Sequence, residues 1–165
     1  MHFKLLGALL ILTGGALFRR LLAAPRASRC KALAELSRAL SYLACGVEEK
    51  RMPMPRLLRS RGFGTAADAF LERVYEDTFK REHALEESWE EALLSLPLQG
   101  CEREELLSLT ALFSASAPEL AAALRACAAY LHDRAILAQG EKKEWEKTEG
   151  ALCLCAALLL TIVLF

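Results

Sequence analysis

The sequence predicts an all-α protein: a cytosolic helical bundle flanked by N- and C-terminal transmembrane helices. Three observations carry this. Apolar residues recur three and four apart through the middle of the chain, as on one face of a helix, and no run alternates with the period of two that marks a strand. Two uncharged runs, Leu5 to Phe18 and Gly150 to Phe165, stand near the two ends. The 54% apolar composition exceeds the roughly 45–50% of ordinary soluble domains, and those two runs hold the excess.

At 1.5 Å per residue the end runs reach roughly 21 and 24 Å, short of a ~30 Å hydrocarbon core, so each needs its flanks to complete a crossing. Lys4, Arg19 and Arg20 supply this by snorkelling, which extends the first span over residues 1–24. Lys147 marks the water boundary of the second, over residues 148–165, and leaves 25–147 as the bundle. Gly7 and Gly14, seven apart, share a face on which another membrane helix can approach closely. A cleaved signal peptide is the rival reading at the amino end. Arg19 and Arg20 directly after the apolar run are wrong for a cleavage region, and a buried core helix leaves them poorly placed.

Charge close to the spans sets orientation. Arg19, Arg20, Arg26, Arg29 and Lys31 follow the first span before any acid, and Lys142, Lys143 and Lys147 precede the second, against Lys4 alone outside. The central domain is therefore expected in the cytosol, held to the cell membrane at both ends.

Within the bundle, Leu33, Leu36, Leu40, Leu43 and Val47 make one stripe on a helix of about 20 residues, with Ser28 as its expected cap and the Met52–Pro55 break at its end. A short helix from Pro55 to Ser60 is expected next, then a turn at Gly62 and Gly64. Ala67, Phe70, Leu71, Val74 and Tyr75 form the stripe of a helix starting near Thr65. Leu85, Trp89, Ala92, Leu93 and Leu96 form that of another, stopped by Pro97 and Gly100. A helix from Glu102 to about Ser114 turns Leu106, Leu109, Leu112 and Phe113 inward. The longest begins near Pro118, with Leu120, Leu124, Cys127, Leu131, Ala135 and Ala138 as its stripe, and the Glu/Lys-rich stretch beyond Gly140 can carry it on.

The 21 basic residues balance 21 acidic ones, which excludes a polybasic nucleic-acid binder, but the charges are segregated. Arg19 to Arg61 holds 11 basic residues against Glu35, Glu48 and Glu49, and Glu82 to Glu105 holds eight glutamates against Arg103. A basic part lying on anionic headgroups and an acidic part turned to a cytosolic partner would account for this. A coat of solvated charges is the plainer account.

Motifs for chemistry are missing. There is no glycine-rich phosphate loop, no HExxH, no G-x-S-x-G and no CxxC, so no catalytic, cofactor-binding or metal-binding residue is assigned. His83 and Glu87 have metal-ligand spacing without further ligands nearby. Packing accounts for most of the six cysteines. Trp89, the most individual feature of the interior, reads first as a core aromatic and second as an anchor for a partner.

The order of these pieces resembles the stage III sporulation protein AB family. The resemblance runs the full length: Lys4-Leu5-Leu6-Gly7 with Gly14-Gly15, a basic exit, a leucine-striped helix, the Met52-Pro53-Met54-Pro55 break, Trp89-Glu90-Glu91-Ala92-Leu93, a long helix, and a lysine-rich approach to the span from Gly150. Ala117 stands where the family usually has a capping Asp, for which Ser116 can substitute. The resemblance implies a component of the assembly that bridges mother cell and forespore, with a helical domain similar to those of type II secretion platform proteins. It also implies a cytosolic secretion-type ATPase, the stage III sporulation protein AA, and other membrane subunits as partners.

The expected function is thus a non-enzymatic membrane platform or adaptor, with Glu86, Glu87, Trp89, Glu90 and Glu91 as its contact region. The alternative is a tail-anchored helical groove of Bcl-2-like type that binds peptide helices, although the Asn-Trp-Gly-Arg signature is missing. A small membrane enzyme would need polar groups converging in the spans, which hold only Thr13, Thr161 and thiols.

Overall fold

The computed structural model describes the backbone of residues 2–49 and 52–164 and the side chains of residues 24–49 and 52–141. Among the described residues six α-helices follow one another: α1 (His2–Glu48), α2 (Met54–Leu58), α3 (Thr65–Phe79), α4 (Leu85–Leu94), α5 (Gly100–Ser108) and α6 (Ala117–Leu164), with a 3-10 turn at Thr110–Leu112. No strand occurs among the described residues. The chain divides into two compact units, one of Arg29–Ile136 and one of Met1–Ser28 with Leu137–Phe165. The latter is built from the first part of α1 and the last part of α6. Among the described residues no helix is long and apolar enough to cross a membrane. The side chains of Leu5–Phe18 and Gly150–Phe165, with Gly7, Gly14, Arg19 and Arg20, lie outside the described residues.

One long helix replaces the two elements expected at the amino end. Pro25 lies inside α1, so no helix starts at Ser28, whose hydroxyl instead donates back to the Pro25 carbonyl at 2.8 Å. Proline removes one N–H from the ladder and its ring crowds the carbonyl four residues back, yet the helix continues through it. α6 runs unbroken through Gly140, as the Glu/Lys-rich stretch beyond it suggests.

The core of Arg29–Ile136 follows the apolar stripes. Leu33, Leu36, Leu40 and Leu43 of α1 are buried, as are Phe70, Leu71 and Val74 of α3 and Leu120, Leu124, Cys127 and Leu131 of α6. The Ser37 hydroxyl ties α1 to α6 by donating to the Ala128 carbonyl at 2.8 Å. α3 packs against α2 and α4, and α4 against α5 and the 3-10 turn. α1 ends at Glu48, where Gly46 meets the Leu57 side chain so closely that a β-carbon would collide with it.

α3 begins from a two-glycine turn held by the Asp68 carboxylate. Gly62 and Gly64 have φ of 104° and 132°, which side chains on L-residues rarely allow. The Asp68 carboxylate accepts from the N–H groups of Gly62, at 3.1 Å, and Phe63. Burial raises the affinity of Asp68 for a proton, but the N–H groups of Gly62, Phe63 and Gly64 outweigh that and hold its pKa below the usual value.

Candidate functional site

The outer face of α4 carries four glutamates. Leu85–Leu94 buries Ser88, Trp89, Ala92 and Leu93 and leaves Glu86, Glu87, Glu90 and Glu91 outward. Glu86 and Glu87 sit in the first turn, where the helix dipole favours acids; Glu90 and Glu91 gain nothing there. Arg73 of α3 bonds Glu91 at 3.0 Å, while Glu86, Glu87 and Glu90 have no ion-pair or hydrogen-bonding partner among the described residues. Like charges at i,i+4, as in Glu86 and Glu90, destabilise a helix by a few tenths of a kcal/mol. Leu94, at the end of this ridge, is 69% exposed.

Trp89 belongs to the other side of α4. Only 2% of it is exposed; its ring meets Phe70 and Phe113 edge-on at 4.8 and 5.2 Å, and its Nε1–H donates to the Leu106 carbonyl at 3.0 Å. The expectation that Trp89 touches a partner is therefore corrected. The crevice it lines with Leu43, Met54 and Leu124 has a volume of about 10 Å³, too small for an inserted side chain. What Trp89 does is hold α4 against α5, so that the four glutamates sit on a fixed support.

The basic side of the bundle also differs from expectation. Arg29, read as a membrane-flanking residue, points into the protein: its guanidinium meets the Glu102 carboxylate through NH2 at 2.5 Å and Nε at 3.2 Å. Glu102 is fully buried, and Arg134 of α6 approaches it at 3.9 Å. Glu102 also accepts from the Gln99 N–H at 2.9 Å in a capping box that starts α5. Burial pushes its pKa up, but Arg29, the Gln99 N–H and Arg134 together bring it below the usual value. The Gln99–Glu102 spacing signals the cap in the sequence; nothing local signals Arg29, 73 residues away. Lys31 stays on the surface, 65% exposed and 3.7 Å from Glu35, and Arg26 is exposed.

An open groove of about 560 Å³ lies at the far end of the bundle, between Val47, Glu48, Met52 and Met54 on one side and Ala115, Ala117, Pro118 and Leu120 on the other. Beside it α6 starts without the expected Ser116 side-chain cap on the backbone; the Ser116 N–H donates to the Glu119 carboxylate at 3.1 Å. No group of three or more His, Cys, Asp or Glu side chains able to hold a metal occurs among the described residues, and His83 stands exposed.

The helical order, the Met52–Pro55 break, the α4 segment around Trp89 and the long α6 now stand together on one chain. No curated protein and no solved structure matches it. The family model of stage III sporulation protein AB matches residues 4–165, which is nearly the whole length. The chain is thus a sporulation protein and belongs to the stage III sporulation protein AB family.

Proposed function

We propose that this protein is a membrane-anchored platform of the channel between mother cell and forespore, coupling a cytosolic secretion-type ATPase to the membrane assembly. The observation that carries the reading is the exposed α4 ridge, on which Glu86, Glu87 and Glu90 go without partners among the described residues while Trp89 fixes the helix from behind. Uncompensated like charges on a rigid, well-packed helix cost stability, and a complementary basic surface on another protein recovers that cost. Family membership supplies the sporulation context. Leu5–Phe18 and Gly150–Phe165 serve as the two anchors in this reading, with Gly7 and Gly14 against other membrane subunits, Arg19, Arg20 and Arg26 at the headgroups, and the bundle in the cytosol of the mother cell.

The test is a pull-down of the stage III sporulation protein AA ATPase by the full-length chain, with Glu86, Glu87 and Glu90 reversed to lysine. Capture by the native chain and loss in the variant is the expected result. Equal capture by both rejects the α4 contact, and recovery of the native chain from cells in the aqueous fraction rejects the anchors.

A further inference from the structure

α1 and α6 leave the compact unit at Arg29 and Ile136, and one buried carboxylate reaches both of them there. Glu102 comes from the first turn of α5, is fully buried, and takes Arg29 of α1 in a close two-nitrogen contact with Arg134 of α6 at 3.9 Å. Arg134 also donates to the Cys101 thiol at 3.2 Å, a second link to the start of α5. Close by, the Cys30 thiol donates to the Ala135 carbonyl at 3.6 Å. α5 is in turn bonded to α4 through the Trp89 Nε1–H and the Leu106 carbonyl, at 3.0 Å.

A buried ion pair replaced by apolar side chains often leaves a protein as stable as before, so stability alone does not explain a glutamate enclosed here with two arginines. A carboxylate has a definite geometric demand that leucine lacks. It fixes which turn of α1 faces which turn of α6, and it moves only if α5 moves.

We propose that Glu102 is a clamp joining the α4 face to both long helices at the point where they leave the compact unit. Displacement of α4 by a bound partner passes through the Trp89–Leu106 bond to α5, and through Glu102 to Arg29 and Arg134. Glu102 is thus a positioning residue. The inference rests on the α4 ridge being the partner-binding face, but the coupling within the chain is measurable without a partner.

Hydrogen exchange followed by mass spectrometry on the purified full-length chain provides the test. In Glu102→Gln, segments 29–36 and 130–136 should exchange about tenfold faster relative to segments 40–48 and 117–124, because the ends nearest the clamp are released first. An equal rise in both pairs of segments, or no rise, overturns the proposal. Should Glu102→Gln not fold, Arg134→Gln leaves the Arg29 contact in place and should accelerate 130–136 selectively; failure to do so also overturns it. Trp89→Phe keeps a ring but removes the bond to Leu106. It should accelerate 102–108 together with the segments near Arg29 and Arg134, and an effect confined to α4 and α5 overturns the coupling. A failed ATPase pull-down leaves these results untouched, and a failed exchange pattern leaves the ATPase contact standing.

Discussion

The carboxylate of Glu35, in the middle of α1, accepts a hydrogen bond at 2.7 Å from the backbone N–H of Ala66, in the first turn of α3. A helix start normally takes its cap from the residue just before it. Here that residue is Gly64, which offers no side chain, and a β-carbon there would collide with the Glu35 carboxylate itself. The two residues are complementary: the glycine makes room for the group that replaces its missing cap.

Gly64→Ala should therefore destabilise the fold more than Glu35→Gln. The alanine both strains a backbone at φ 132° and displaces the carboxylate, at about 1–3 kcal/mol for the strain alone, whereas the amide keeps an acceptor oxygen. Urea unfolding followed by tryptophan fluorescence gives the order; Glu35→Gln as the more damaging change would show that the cap matters less than its charge.

Much of this architecture is legible in the sequence, and the illegible part has a common cause. The burial of Leu33, Leu36, Leu40 and Leu43 follows from spacing alone, because a helix repeats every 3.6 residues and the core needs one face. The positions of Gly62 and Gly64 mark the turn for a similarly local reason. The inward turn of Arg29 is invisible locally because its partner Glu102 is 73 residues away, and the cap expected at Ser28 does not form because α1 continues through Pro25. Of the α4 site, the four glutamates were readable from composition, whereas the burial of Trp89 depends on Phe70 and Phe113 arriving from other elements.

Acid should weaken the bundle through Glu102 and Asp68. Both carboxyls have pKa values held below their ordinary 4.5 and 3.8 in the folded chain. Their contribution is therefore full above the unfolded values and lost as pH falls through the folded ones. Urea midpoints should be nearly flat from about pH 7 to 5 and fall below about pH 4.5, with a shallower fall in Asp68→Asn. An equally steep fall in that variant would assign the acid sensitivity to other groups.

Thiol chemistry should separate two cysteines sharply. Burial pushes the Cys127 thiol up to about 12, with Glu105 adding to it, whereas Cys101 is exposed. Iodoacetamide at about pH 8 should modify Cys101 in the native chain and reach Cys127 only after unfolding. Peptide mass spectrometry reads this directly, and native modification of Cys127 would contradict the packing of α6.

Truncating Trp89 to alanine should cost about 3–5 kcal/mol, as for other large buried aromatics. Its ring fills the space between Phe70 and Phe113, and its indole N–H satisfies the Leu106 carbonyl. A loss below about 1 kcal/mol in chemical denaturation would place the ring outside the core.

Glu90→Lys should have the opposite character. It turns the repulsive Glu86–Glu90 pair into an attractive one at i,i+4 spacing, so stability should hold or rise by about 0.2–0.5 kcal/mol while ATPase capture falls. Thermal unfolding and capture measured on the same sample check both halves; a clear loss of stability would show that Glu90 has a structural task.

Glu86, Glu87 and Glu90 on α4, without partners among the described residues, would act before anything touches them. Their field extends roughly a Debye length, about 8 Å at physiological ionic strength, and would draw an oppositely charged partner toward that side during diffusion if α4 is the contact face. Added salt would then slow the encounter far more than it hastens departure, so the ionic strength around the bundle would govern how quickly a complex assembles.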